Sequence, residues 1–175
     1  MLRAGGIVAY PTEAVFGLGC APEHADSVSL LAVLKSRTAR QGFILVAADL
    51  AQVNPLIEMP EGEMGKTIID SWPGHVTWVF SARPTVSPWL VGAARTIAVR
   101  VTTHPLTKAL CREYGGPIIS TSANLRGAPP ARTALQVRRR LPRGVVDYIL
   151  SGRVGGYISP SEIRDARDGR VLRKG

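Results

Sequence analysis

"GPIISTSANLRG", residues 116–127, is an apolar strand that runs without a break into Ser120, Thr121, Ser122 and Asn124. A β-strand needs a polar turn at its end, but one or two short polar side chains suffice for that. Three hydroxyls and an amide at one strand end are an excess, and they point to something bound there. In open α/β sheets ligands sit beyond the carboxyl ends of strands, so this stretch suggests an α/β domain with a site at its edge.

The rest of the chain supports that class. Gly5–Tyr10, Phe43–Ala48, Thr77–Ala82, Thr96–Val101 and Pro117–Thr121 are short apolar runs bounded by Gly, Pro or polar residues, which predicts strands. Between them, Asp26–Lys35 carries Val28, Leu31 and Leu34 at helical spacing, and Pro105–Tyr114 opens on proline and closes on Gly115 and Gly116. Asp49 is placed to cap a helix running toward Ile57, Met64–Ser71 is a further helix, and Ala134–Leu141 another. Val146–Leu150, Ser161–Ala166 and Val171–Arg173 complete the expected strands. Strands and helices alternate without an internal repeat, so the expected architecture is one α/β domain over residues 1–175, a twisted mixed sheet with flanking helices.

A chain of 175 residues that is 45% hydrophobic can bury one full core. No apolar stretch approaches the ~18 residues of a membrane span, and no secretory signal is visible, so a cytoplasmic protein without membrane partners is expected. Cys20 and Cys111 lack metal spacing and are read as reduced thiols, so no metal site is expected from the protein itself. The net charge of +9 is uneven: residues 126–175 hold 12 Lys and Arg against 4 Asp and Glu, a net of +8. Such a tail attracts polyanions or simply keeps a face solvated.

Several constellations could carry chemistry. In "YPTEAVFGLG", residues 10–19, Thr12 could cap a helical turn with Glu13 at its positive end, or Thr12 could meet a ligand while Gly17 and Gly19 let backbone approach it. "KSRTARQG", residues 35–42, packs Lys35, Arg37 and Arg40 together, either as cations at a helix carboxyl end or as a clamp for phosphates. No Walker-type or G-x-G-x-x-G loop occurs, so a nucleotide would be held by side chains. Arg100 interrupts the strand Ile97–Val101, and a buried cation there must find a carboxylate, an edge or an anion. "SPSEIRDA", residues 159–166, contributes Ser161 and Arg164, and Arg164 with Asp165 could equally be a plain ion pair. His24, His75 and His104 have no nucleophile arranged around them and are read as structural.

Taken in order, PTEAVFGLG, KSR, WPGHVT, VRVTTHP, STSAN and SEIRD resemble the YrdC-like family in its short bacterial form, from Gly5 to Gly175. The resemblance implies a twisted sheet folded around a positively charged cavity. It also implies an enzyme that joins L-threonine, bicarbonate and ATP into L-threonylcarbamoyladenylate and pyrophosphate, with Mg2+ accompanying the ATP. The product would feed a threonylcarbamoyl-transfer complex that modifies tRNA. By the same resemblance, Lys35 and Arg37 are the catalytic cations that neutralise carbamate and phosphates. Thr12 binds the threonine or its carbamate, Ser120, Ser122 and Asn124 orient adenylate oxygens and the amino acid, Arg100 lies beneath, and Ser161 and Arg164 close the far wall. The alternative is a non-catalytic module that holds tRNA or ribosomal RNA through its basic tail, and tRNA or double-stranded RNA is a candidate partner on either reading. The chain departs from the family pattern at Thr38, Gln41, His75 and Arg126. It also starts only four residues before Gly5, where relatives carry a helix, so the expectation is either that the given start is late or that one flank of the sheet is uncovered.

Overall fold

The computed structural model describes residues 1–38 and 41–175, so Arg40 lies outside the described residues. Nine strands form one mixed sheet: β1 (Val8–Pro11), β2 (Phe16–Gly19), β3 (Ile44–Ala47), β4 (Val76–Ser81), β5 (Thr96–Val101), β6 (Ile118–Ser122), β7 (Tyr148–Ile149), β8 (Glu162–Asp165) and β9 (Val171–Arg173). Their spatial order is β7-β1-β2-β6-β3-β5-β4-β8-β9, with β1/β7, β3/β5 and β4/β8 parallel and the other neighbours antiparallel. The helices are α1 (Ala25–Leu34), α2 (Leu50–Val53), α3 (Gly62–Asp70), α4 (Pro105–Tyr114) and α5 (Ala134–Arg140).

The inner strands, β1, β2, β3, β5 and β6, are largely buried on both faces, which is why they read as near-continuous apolar runs, whereas the edge strand β9 is exposed. Alternation still sorts the side chains. Ala9, Leu45, Ala47 and Ile119 face the larger core with Val28 and Leu31 of α1, Ile68 of α3 and Val137 of α5. Val8, Tyr10, Val46 and Ile118 face the other side, where Cys111 of α4 and Leu2 pack on them. The turn Leu2–Ala4 and α4 thus lie on this second face. Trp78, Tyr10, Phe16 and Phe80 are all almost completely buried, each worth roughly 1.5–3 kcal/mol of removal from water.

Helix ends follow their local chemistry. Asp49 accepts a bond from the Gln52 amide at 3.3 Å, and Pro55, which has no N–H, stops α2 well short of Ile57. Gly115 closes α4 in the left-handed conformation at φ 94°, as the glycine after Tyr114 predicts.

The hairpin is the main correction. No helical turn follows Pro11: the amide and the hydroxyl of Thr12 both donate to the Val15 carbonyl, at 3.0 and 2.7 Å, and the chain returns as β2 against β1. Gly17 and Gly19 hid the alternation of Phe16 and Leu18. The two glycines make room chiefly for the protein itself. A Cβ at position 19 would stand 2.0 Å from the Ile119 carbonyl oxygen, and one at position 17 would stand 2.9 Å from the Tyr10 ring.

Candidate functional site

The polar end of β6 opens onto a cavity of about 280 Å³. Its wall is contributed by the β1–β2 hairpin (Thr12, Phe16, Gly17), the loop after α1 (Arg37), β5 (Arg100), β6 (Ser120, Thr121, Ser122), the entry to β8 (Ser161) and β9 (Arg173). Ser120 and Ser122 are two residues apart on one strand, so their hydroxyls fall on one face. Thr12 uses its hydroxyl proton on Val15, leaving an oxygen that can accept from a ligand. Ser161 is buried and its hydroxyl lies 2.8 Å from that of Thr77.

Lys35 and Asn124 stand behind the strand tip. The Lys35 ammonium donates to the Asn124 carbonyl and to Asn124 Oδ1, both at 2.7 Å, and to Ser122 Oγ at 3.3 Å. Ser122 Oγ in turn donates to Asn124 Oδ1 at 2.6 Å, and the Asn124 amide nitrogen donates to the Ala128 carbonyl. The STSAN tip is thus a preformed network anchored by one cation. Arg37 stacks on Phe43 at 4.7 Å and donates to the Gly42 carbonyl at 2.7 Å.

The cations crowd one another. Burial and the neighbouring Arg37 push Lys35 down to about 8. Burial and Arg173 lower Arg37, and burial and Arg100 lower Arg173. Proximity of this kind is unfavourable without an anion, so the arrangement favours a polyanionic ligand.

Arg100 is 6% exposed and meets one carboxylate, Glu13, at 3.2 Å. Glu13 is held in turn: its Oε1 accepts from Thr102 Oγ1 at 2.6 Å, from the Thr103 amide at 3.0 Å and from Thr103 Oγ1 at 3.4 Å. Burial works to raise the Glu13 carboxyl, but Arg100 and the Thr102 and Thr103 donors outweigh it, and the group stays below the usual range. Arg100 Nε, buried, has no hydrogen-bond partner.

Arg164 does not reach this cavity. It pairs with Glu162 and lies over the Trp78 ring at 5.9 Å. Arg164 pairs opposite Trp78 and bonds to Glu162, whereas Ser161, just before β8, sets its hydroxyl against Thr77, the neighbour of Trp78 that points to the other face. Arg173 fills the place instead: it pairs opposite Ile163 and donates to the Ser161 carbonyl at 2.8 Å. Sequence reasoning passed over Arg173 because "VLR" is an unmarked short strand, although its parity with Ser161 across the expected hairpin was a usable signal. His75 also reaches the wall, stacked on Tyr157 with centroids 4.1 Å apart, while its Nε2–H donates to the Ser159 carbonyl. His24 and His104 bond to the Arg3 and Arg153 carbonyls away from it. Cys20 and Cys111 are buried thiols pushed up to about 12 by burial. Among the described residues no three His, Cys, Asp or Glu side chains gather as metal ligands, and no helix is long and apolar enough to cross a membrane.

The chain matches the Sua5–YciO–YrdC family model, described as "Telomere recombination", over residues 1–175. It is 49% identical over 175 residues to the threonylcarbamoyl-AMP synthase of Stenotrophomonas maltophilia, covering 98% of this chain and 93% of that one. The enzyme of the same name from Methylococcus capsulatus is 48% identical, covering 98% and 92%. Among solved structures, P. abyssi Sua5 complexed with L-threonine superposes with a TM-score of 0.87 at 28% identity, over 98% of this chain and 51% of that one. E. coli YciO gives 0.84 at 26% identity, over 99% and 85%. The chain therefore spans about half the length of that Sua5 protein and nearly all of the two synthases.

Proposed function

This chain belongs to the Sua5–YciO–YrdC family, and from that premise we propose that it forms L-threonylcarbamoyladenylate and pyrophosphate from L-threonine, bicarbonate and ATP. One observation carries the reading beyond the family: Arg37, Arg100 and Arg173 converge on a cavity whose floor is the Ser120–Ser122 strand tip. The amine of threonine condenses with bicarbonate, losing water, to give a carbamate. A carbamate oxygen then attacks the α-phosphorus of ATP and pyrophosphate leaves. Both reactants are anions, so the protein's task is to bring like charges together and hold them in line. Fixed guanidinium groups do this as preorganised electrostatic stabilisation, with no need for a covalent intermediate on the protein.

In this reading Lys35 and Arg37 act as the cations nearest the carbamate and phosphates. Thr12 accepts from the threonine substrate, Ser120, Ser122 and Asn124 hold adenylate oxygens, and Arg100 with Arg173 binds phosphate oxygens, Ser161 positioning the latter. Arg164 serves the wall indirectly, from the opposite face of β8. The lining offers cations and hydroxyls and no uncommitted carboxylate, so a magnesium ion would be carried by the phosphates of ATP and by water. The product would pass to a transfer complex acting on tRNA in the cytoplasm. Exposed Arg138, Arg139 and Arg140 at the end of α5 are what support direct RNA binding and, with it, the second reading, a non-catalytic module for tRNA or ribosomal RNA.

Incubating the protein with ATP, magnesium, bicarbonate and single amino acids, and measuring pyrophosphate, tests the proposal. Threonine-dependent release is expected. A folded protein that releases none, yet binds RNA with steep salt dependence, would favour the second reading.

A further inference from the structure

We propose that Glu13 is a positioning residue for the nucleotide site: its carboxylate aims the Arg100 guanidinium into the cavity and fixes it there before any ligand arrives. This rests on the reading of the cavity as an ATP site. Glu13 is 2% exposed, and its two oxygens do different work. Oε1 collects the Thr102 hydroxyl together with the amide and hydroxyl of Thr103, the residues that directly follow β5. Oε2 accepts no hydrogen bond and faces Arg100 NH2 at 3.2 Å. The carboxylate is therefore clamped from one side and free to act electrostatically on the other.

The clamp extends to the backbone. The Gly155 amide donates to the Thr12 carbonyl at 2.9 Å and the Tyr157 amide to the Glu13 carbonyl at 3.2 Å, so the segment before β8 is tied to the same hairpin. A Cβ on Gly155 would stand 2.5 Å from the Glu13 carbonyl oxygen, so this approach needs glycine there. Glu13 cannot drift without moving the hairpin, β5 and that segment together.

Arg100 has little else to hold it. It sits on β5 with Nε buried and unpartnered, it lines the cavity, and among the described residues Glu13 is the carboxylate that pairs with it. A long buried cation with donors to spare would sample several rotamers or turn from the cavity if the carboxylate were removed. Two features distinguish this from a purely stabilising ion pair. The pair is incomplete, without a hydrogen bond between its members, and the unused donors of Arg100 belong to a side chain that lines the site.

A double-mutant cycle with two readouts tests this. In 15N-labelled protein without ligand, the Arg100 Nε–Hε resonance, assigned by its loss in Arg100→Lys, should be sharp and should broaden or vanish in Glu13→Gln. ATP affinity measured by calorimetry should fall ~10-fold in Glu13→Gln, and Glu13→Gln should cost nothing further in the Arg100→Lys background. Thr102→Val, which removes one strand of the clamp and keeps the charge, should give a smaller change of the same kind. Additive losses in the cycle, an unchanged Arg100 resonance, or loss of folding in both Glu13→Gln and Thr102→Val would overturn the positioning role. Wild-type protein that binds no ATP, while its Arg100 resonance still depends on Glu13, would instead count against the cavity as an ATP site.

Discussion

Two sets of arginines in this protein differ in everything but residue type. Arg138, Arg139 and Arg140 lie in a row on the last turn of α5, exposed to water. Arg37, Arg100 and Arg173 come from a loop and two strands far apart in the chain, and they share one cavity wall. The first set dominates the charge count of the tail, where residues 126–175 hold 12 basic against 4 acidic side chains. The second set contributes a single arginine, Arg173, to that tail. Composition therefore located charge but not the site. A lone surface cation is hydrated and screened, whereas cations crowded on one cavity wall around the buried Arg100 raise one another's cost and create a demand for an anion.

Removing the counter-charge of Arg100, the buried member of the cavity set, should have the largest effect. Glu13→Ala leaves Arg100 without a carboxylate, and it should lower stability by about 3–5 kcal/mol in a denaturant titration. The same pair predicts a pH dependence. The Glu13 carboxyl is held below its ordinary value, so its contribution is present above that value and lost as pH falls through the lowered one. Wild-type stability should consequently fall more steeply on acidification than that of Glu13→Gln. Equal slopes would mean the pair has no such role.

Next in size are Arg37 on the cavity wall and Lys35 behind the strand tip. Lys35→Ala and Arg37→Ala should each reduce pyrophosphate release by roughly 100-fold or more, the scale for removing one preorganised electrostatic contact. Both side chains are half-buried, so melting temperatures should move little; severe unfolding in both would assign them to structure instead. A smaller effect concerns protonation. Lys35 is pushed down to about 8, so kcat/KM should decline as pH rises through that value and its cationic form is lost. Lys35→Arg should move the declining limb to higher pH, since a guanidinium keeps its proton.

The smallest effect should come from the exposed set. Replacing Arg138, Arg139 and Arg140 together by Ser should change stability by no more than about 0.5 kcal/mol and leave threonine-dependent turnover intact. If RNA binds there, the same variant should flatten the salt dependence of RNA affinity by up to roughly 0.7 per lost phosphate contact. A collapse of turnover would erase the distinction between the two sets.

Much of the fold was open to reading because local rules governed it. The Pro–Gly bracket of α4, the Asp49 cap and the apolar runs of β3 to β6 depend on neighbours a few residues away. The hairpin was missed because Gly17 and Gly19 erase the alternation that marks a strand, and their reason lies in Tyr10 and Ile119. Family resemblance puts Arg164 with Ser161 on the far wall, but its contacts with Glu162 and the Trp78 ring hold it on the other side of β8, and only strand pairing shows that.

The sequence by itself determined the family, the order of the motifs and the polar strand tip, because each is written in contiguous residues whose chemistry is local. Only the tertiary structure decided which cations meet, that Lys35 anchors the STSAN tip, that Arg173 lies on the wall, and that Glu13 stands behind Arg100. Those facts depend on strand register and side-chain parity between distant segments, 89 residues apart in the Glu13–Thr102 bond. Such contacts are set by how the sheet closes its core, and no short window of sequence contains that information.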